Sequence, residues 1–293
     1  MASSTQGMVM PLSTTKLHKD FGAEILNFKI SSATTVEEAQ EVRALTETFG
    51  FVLLRDQDLS ESAMVNFSEK LGGAYKFIPV QGQSKEFIYK VTNLDDDGSI
   101  LPLDDVRMRS NVANELWHTD TTYARPRTAL SMLYAIQVVP EGGETQFCDT
   151  RCGYEALSAE EQKSLEGLVT MHSIIHSRAL TGFHDWSDEQ RDLLKPIARP
   201  LVELQQRTGR RSLCIASHVE SIEPLSADQA NLLLKRLIDI STRPEAVYTH
   251  KWKPKDLLIW DNRCTMHRAR PYEYTKYPRD YRTARVTDFE DVS

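Results

Sequence analysis

Trp117-His118-Thr119-Asp120-Thr121 is the stretch on which the reading of this chain turns. Its aromatic and β-branched residues favour an extended backbone, in which side chains two apart point the same way. His118 and Asp120 would then reach one metal ion together. Working outward, the answering residue is far along the chain. His267 follows a strand-like run, Leu257-Leu258-Ile259-Trp260, and the polar turn Asp261-Asn262-Arg263. Two imidazoles and one carboxylate on one face of an ion leave three coordination positions open. That suits a non-haem Fe(II) centre that activates oxygen better than a closed structural site.

Periodicity supplies the elements around this pair. Val36, Ala39, Val42, Leu45 and Phe49 recur at helical spacing, Gly50 ends that helix, and Phe51-Val52-Leu53-Leu54 reads as a buried strand. Ser60 caps a second helix through Leu71. Strands are expected at 87–91, 129–139, 248–252 and 257–260, and helices at 158–169, 187–194 and 226–240. Asp95-Asp96-Asp97-Gly98 lacks the ligand spacing of a calcium loop and reads as a solvated turn. Many short strands with a few helices, and no linker between them, predict a mainly β fold. The expected architecture is one jelly-roll core with flanking helices and helical insertions, spanning 21–293 behind a flexible leader at 1–20.

Bulk composition removes other classes. The net charge of −7 over 293 residues argues against a nucleic-acid surface. No apolar run approaches the ~18 residues of a membrane span, and the Ser/Thr-rich start lacks the apolar core of a secretory signal. Cys148, Cys152, Cys214 and Cys264 show no CxxC spacing and predict reduced thiols in a cytoplasmic protein. Cys148 and Cys152 could be half of a zinc site, but no second half exists. A homo-oligomer is the default for a soluble enzyme.

Arg268, Arg270, Arg279, Arg282 and Arg285 crowd the C-terminal end. Such a cluster near a divalent cation requires anions between them, and a dicarboxylate co-substrate fits, because a guanidinium fork matches a carboxylate bidentately. His172 and His176 have the spacing of a helical zinc pair, yet Ser173-Ile174-Ile175 is strand-like and no acid lies between them. A structural or loop role is expected. His184, His218 and His250 carry no assignment, and His18 reads as a surface residue.

With these residues in view, the chain resembles the taurine dioxygenase-like Fe(II)/2-oxoglutarate-dependent oxygenases, and among them the dichlorophenoxyacetate dioxygenases. The resemblance runs from Phe51 to the C-terminal arginines. It is carried by Asn114-Glu115-Leu116-Trp117-His118-Thr119-Asp120, by Gly142-Gly143-Glu144-Thr145-Gln146-Phe147-Cys148-Asp149, and by Trp260-Asp261-Asn262-Arg263 with His267-Arg268-Ala269. It implies a double-stranded β-helix holding Fe(II) between His118, Asp120 and His267, with 2-oxoglutarate and O2 as co-substrates. Thr145 matches the family threonine for the far carboxylate of 2-oxoglutarate. Arg282 is the expected arginine for that carboxylate and Arg285 the second choice. The last arginine of the family pattern is Val286 here, so either Arg285 swings in, or another cation meets the acidic group of the substrate, or the substrate is a different acid. Lys76, Arg178 and His218 are the candidates, with Asn114 and Trp117 as further substrate contacts.

The implied reaction hydroxylates, or cleaves by hydroxylation, a small carboxylate-bearing substrate and releases succinate and CO2. A non-oxidative metal-dependent lyase or hydrolase, and a non-catalytic binding protein, are the alternatives. The first leaves Thr145 and the arginine tail unexplained, and an intact triad argues against the second. The polar insertion Phe183-His184-Asp185-Trp186 is expected to be a lid or a plain surface loop.

Overall fold

The computed structural model describes residues 11–77 and 87–291. Fifteen strands are present among the described residues: β1 Thr14–Lys16, β2 Ala23–Ile25, β3 Phe51–Leu54, β4 Ile88–Thr92, β5 Thr128–Gln137, β6 Thr145–Asp149, β7 Val169–His172, β8 Ile197–Pro200, β9 Val202–Leu204, β10 Arg211–Leu213, β11 Val219–Glu223, β12 Tyr248–His250, β13 Leu257–Asp261, β14 Thr265–Ala269 and β15 Asp280–Thr287. A seven-stranded sheet has the order β1-β2-β3-β13-β5-β15-β4, and a three-stranded sheet the order β12-β6-β14. Strands β11-β7-β8 and β10-β9 form two smaller sheets.

The apolar runs are continuous because both faces of the large sheet are covered. Val52 and Leu54 of β3, with Leu257 and Ile259 of β13, meet Ala39, Val42, Met64 and Phe67 from the helices α1 (Val36–Phe49) and α2 (Glu61–Leu71). Their neighbours Phe51, Leu53, Leu258 and Trp260 turn the other way and pack on Phe147 of β6. Cys148 and Met266, on the far face of the small sheet, lie against Leu237 of the helix Ala227–Ser241. The sequence of layers is therefore helices, large sheet, small sheet, helix.

Helix α1 starts where Thr35 and Glu38 form a reciprocal capping box and stops at Gly50, whose φ of 82° is open to glycine at little cost. Three sequence expectations change. Residues 158–169 hold helix only from Ala159 to Ser164, because Gly167 takes a φ of 77° and the chain turns into β7 at Val169. Ser173-Ile174-Ile175 is not a strand: Ser173 caps the helix Ile174–Ala179, its hydroxyl accepting from His176 N. His172 ends β7, so the two histidines sit on different elements and make no zinc pair. Residues 14–16, read as part of the leader, add an antiparallel strand to the sheet edge; residues 1–10 lie outside the described residues.

Asp95 closes the expected turn, its side chain accepting from Asp97 N and Ser99 N. Among the described residues the four cysteines are all unpaired. No helix among them is long and apolar enough to cross a membrane.

Candidate metal centre and its cavity

Trp117–Thr121 is not a strand. His118 makes one isolated bridge, and that bridge is to His267: His118 N donates to His267 O at 3.0 Å, and His267 N donates to His118 O at 2.7 Å. The chain then turns at Asp120. Thr121 holds a φ of 56°, a conformation β-branched residues avoid, and its hydroxyl accepts from Thr128 N at 2.8 Å. Donor atoms of His118, Asp120 and His267 lie within 4.8 Å of one another, and all three residues are buried.

The surrounding groups fix each of the three. His118 Nδ1 lies 2.8 Å from the Leu116 carbonyl, so that nitrogen carries the proton and Nε2 is left as a lone-pair donor. His267 Nδ1 is buried without a hydrogen-bond partner. Asp120 Oδ2 accepts from Ser131 Oγ at 2.7 Å, and Oδ1 from Arg285 Nη2 at 3.0 Å. Asn262 ties the turn to β5: its Oδ1 accepts from Asp120 N and Trp260 Nε1, and its Nδ2 donates to Thr128 Oγ1 and Ser131 Oγ. Burial pushes both imidazoles below the usual histidine value, His267 to about 3. Burial alone would raise Asp120, but Arg285 and then the two imidazoles outweigh it and hold the carboxyl at about 2. Two neutral imidazoles and one anionic carboxylate are the donor set a divalent cation takes. The residues fit the metal.

A cavity of about 190 Å³ opens on these three residues. Thr145, Asn114, Arg178, His218, Arg279 and Arg285 all line it. Within β15, Tyr281, Thr283 and Arg285 share one face, with Thr283 and Arg285 lining the cavity and Tyr281 packed in the core beside it; Arg279, just before the strand, lines the cavity too. Arg282 falls on the opposite face. Its Nε donates to Glu61 Oε1 at 2.7 Å, and Nη1 donates to Asp280. The expectation for Arg282 is therefore corrected: period two on one strand cannot bring it in beside Thr283 and Arg285. Arg279 stands there instead, buried, stacked on the Tyr281 ring at 3.8 Å, with Nε unpaired. Tyr281 in turn touches Trp252, ring centroids 4.9 Å apart, and Trp252 Nε1 donates to Thr145 Oγ1 at 3.0 Å.

Two substrate candidates are also corrected. Lys76 is exposed and absent from the cavity wall, because its neighbours Tyr75 and Phe77 take the inward positions. Trp117 points away from His118 by the same alternation, packing on the cluster around Met266 with Arg268 over its ring at 4.7 Å. Trp186 of the polar insertion does reach the cavity, and Arg109 anchors the insertion through Asp185 at 2.7 Å. Arg279 was visible in the sequence as one of five clustered arginines. Counting back in twos from Arg285 singles it out.

The family described as taurine catabolism dioxygenase TauD, TfdA family matches residues 13–287. The alpha-ketoglutarate-dependent 2,4-dichlorophenoxyacetate dioxygenase of Cupriavidus pinatubonensis is 35% identical, over 93% of this chain and 96% of its own. The (S)-phenoxypropionate/alpha-ketoglutarate-dioxygenase of Sphingobium herbicidovorans is 29% identical, over 89% of this chain and 90% of its own. The crystal structure of AAD-2 in complex with Mn(II) and N-oxalylglycine has a TM-score of 0.89 at 33% identity, covering 97% of this chain and 99% of that one. These relatives are oxygenases, and the non-oxidative and non-catalytic alternatives are not favoured. The chain belongs to the TauD/TfdA family and is a 2-oxoglutarate-dependent non-haem iron dioxygenase.

Proposed function

We propose that this enzyme hydroxylates, or cleaves through hydroxylation, a small carboxylate-bearing organic substrate at a ferrous ion held by His118, Asp120 and His267. The observation that carries the reading is the convergence of these three donors within 4.8 Å on a cavity that also holds Thr145 and Arg279. Fe(II) and 2-oxoglutarate supply the oxidising chemistry, in which O2 converts the keto acid to succinate and CO2 and a substrate C–H bond gains a hydroxyl.

The protein supplies placement. Trp252 donates to the Thr145 oxygen, which leaves the hydroxyl proton free to point at a carboxylate. Arg279, stacked on Tyr281 with Nε unpaired, offers the fork that pairs with the same carboxylate. Arg285 neutralises Asp120, and Ser131 fixes the carboxylate's other oxygen. Substrates of the named relatives are phenoxy acids, and the aromatic wall of the cavity, with Phe77, Tyr123 and Trp186, supports a related acid here. The large and small sheets facing each other across Phe147 support a double-stranded β-helix as their common architecture. Four unpaired cysteines support a cytoplasmic setting.

Anaerobic titration of Fe(II) and 2-oxoglutarate, followed by its weak visible charge-transfer absorption, tests the assignment. The band should form with the parent and be lost in His118→Ala, Asp120→Ala and His267→Ala, and succinate release should fall to background in each. An Asp120→Ala protein that keeps both would overturn it.

A further inference from the structure

Arg178, Arg270, Arg279 and Arg285 line the cavity: Arg285 meets the Asp120 carboxylate, Arg279 stacks on the Tyr281 ring beside Thr145, and Arg270 is exposed to solvent. Arg178 is different. It projects from the helix Ile174–Ala179, which follows β7 and is remote from β15 in sequence. It lines the cavity, and among the described residues no carboxylate pairs with it. Its one side-chain hydrogen bond runs from Nη2 to Asn114 Oδ1 at 3.3 Å. Burial lowers the guanidinium's hold on its proton, and the nearest opposing influences are only Tyr123, Tyr89 and Asp120. A guanidinium has five N–H donors, so most of this one's are left over. A half-buried cation without a counter-ion favours the arrival of an anion.

The groups around it describe the rest of the ligand. Tyr123 packs edge-on to His218 at 4.8 Å, and Phe77 lies under Arg285 at 4.8 Å. Trp186 comes down from the insertion that Arg109 and Asp185 hold in place. These rings, with Ile174 and Met108, make an apolar wall beside the Arg178 guanidinium.

Resting on the oxygenase reading above, we infer that Arg178, oriented by Asn114, anchors the anionic group of an aryl acid substrate, while β15 serves the co-substrate and the metal's carboxylate. The acid is thus gripped from the helix side of the cavity. Substrate selection then turns on a residue outside the C-terminal arginine cluster.

The experiment is calorimetric titration of phenoxyacetate and its uncharged partner phenoxyacetamide into Mn(II)-loaded protein with 2-oxoglutarate, without oxygen. The proteins compared are the parent, Arg178→Gln, Arg178→Lys and Asn114→Ala. Loss of one charge-assisted carboxylate contact should weaken phenoxyacetate roughly 10- to 100-fold in Arg178→Gln. Arg178→Lys should recover part of the loss, and Asn114→Ala should fall between. The acid should bind the parent more tightly than the amide, with that preference gone in Arg178→Gln. 2-Oxoglutarate affinity on the same proteins should stay within about twofold, which a collapsed cavity would not allow. Equal binding of acid and amide by the parent, no binding of the acid, or an Arg178→Gln protein as tight as the parent would overturn the inference. The oxygenase reading is checked separately, by Fe(II)-dependent succinate release from the parent with 2-oxoglutarate alone. If that release is seen while phenoxyacetate ignores Arg178, only the anchor falls.

Discussion

Asp120 carries its charge against burial. The Arg285 guanidinium and the two imidazoles oppose that burial and hold the carboxyl at about 2. It is therefore anionic and ready for a cation throughout the neutral range. Arg279 and Arg282 stand three residues apart and give opposite expectations. Arg279→Ala removes a charge-assisted fork worth roughly 1.5–3 kcal/mol, so the 2-oxoglutarate concentration needed for half-maximal succinate release should rise roughly 10- to 150-fold. Metal affinity should be unaffected. Arg282→Ala removes a rim pair with Glu61 and Asp280 and should change stability by no more than about 1 kcal/mol, with the 2-oxoglutarate requirement unchanged. Reversal of the two results would return the co-substrate to Arg282. The sequence offered both arginines. The resemblance favoured Arg282 through its register, whereas the pleat of β15 faces Thr283 and Arg285 inward, and Arg279, just before the strand, joins them on the cavity wall.

At the scale of elements, the centre is a junction between the β13–β14 connection, which crosses from the large sheet to the small one, and the turn that follows His118. Asn262 holds that junction with four hydrogen bonds, to Asp120 N, Trp260 Nε1, Thr128 Oγ1 and Ser131 Oγ. Asn262→Ala strands buried donors and acceptors, each costing about 1–3 kcal/mol. Urea unfolding should show a loss in that range or above, and Mn(II) affinity should drop roughly 10- to 100-fold. Unchanged metal affinity would show that Asp120 is placed without Asn262. Helix α1 and strand β3 begin and end where periodicity puts them, because both are apolar on their packed faces and bounded by Thr35 and Gly50. Strands β9 and β10 have three residues each, too few for a period to be read.

For the whole molecule, Phe147 joins the layers. It stacks on Phe51 at 4.8 Å and on His267 at 5.7 Å, and is fully buried. Phe147→Ala should cost about 3–5 kcal/mol in urea unfolding and weaken metal binding with it. Acid should also destabilise the metal-free protein. Burial pushes His172 and His267 down to about 3, and His118 and His218 below their ordinary values. The unfolded chain binds those protons near pH 6.5, so unfolding takes up protons as the solution becomes more acidic. Stability is complete above about pH 6.5 and declines as pH falls towards 3. His172, outside the metal centre and bonded to Thr170 Oγ1, isolates the effect. His172→Gln should show a shallower fall of the urea midpoint between pH 7 and pH 4 than the parent. An identical slope would place the acid sensitivity elsewhere.

The sequence by itself determined the identity of the three donors, the threonine beside them, the main helices and the two apolar strands that carry the sheet. The His118–Asp120 pair, the helices and the strands are local, set by residue chemistry at fixed spacing and by periods long enough to repeat, whereas Thr145 was singled out by the family resemblance alone. Tertiary structure alone decided that His118 and His267 share a bridge, that Asp120 sits on a strained turn and not a strand, and which arginines face the cavity. Facing depends on register, and one residue of slip sends a side chain to the opposite side of a sheet. Only the packed chain fixes that register.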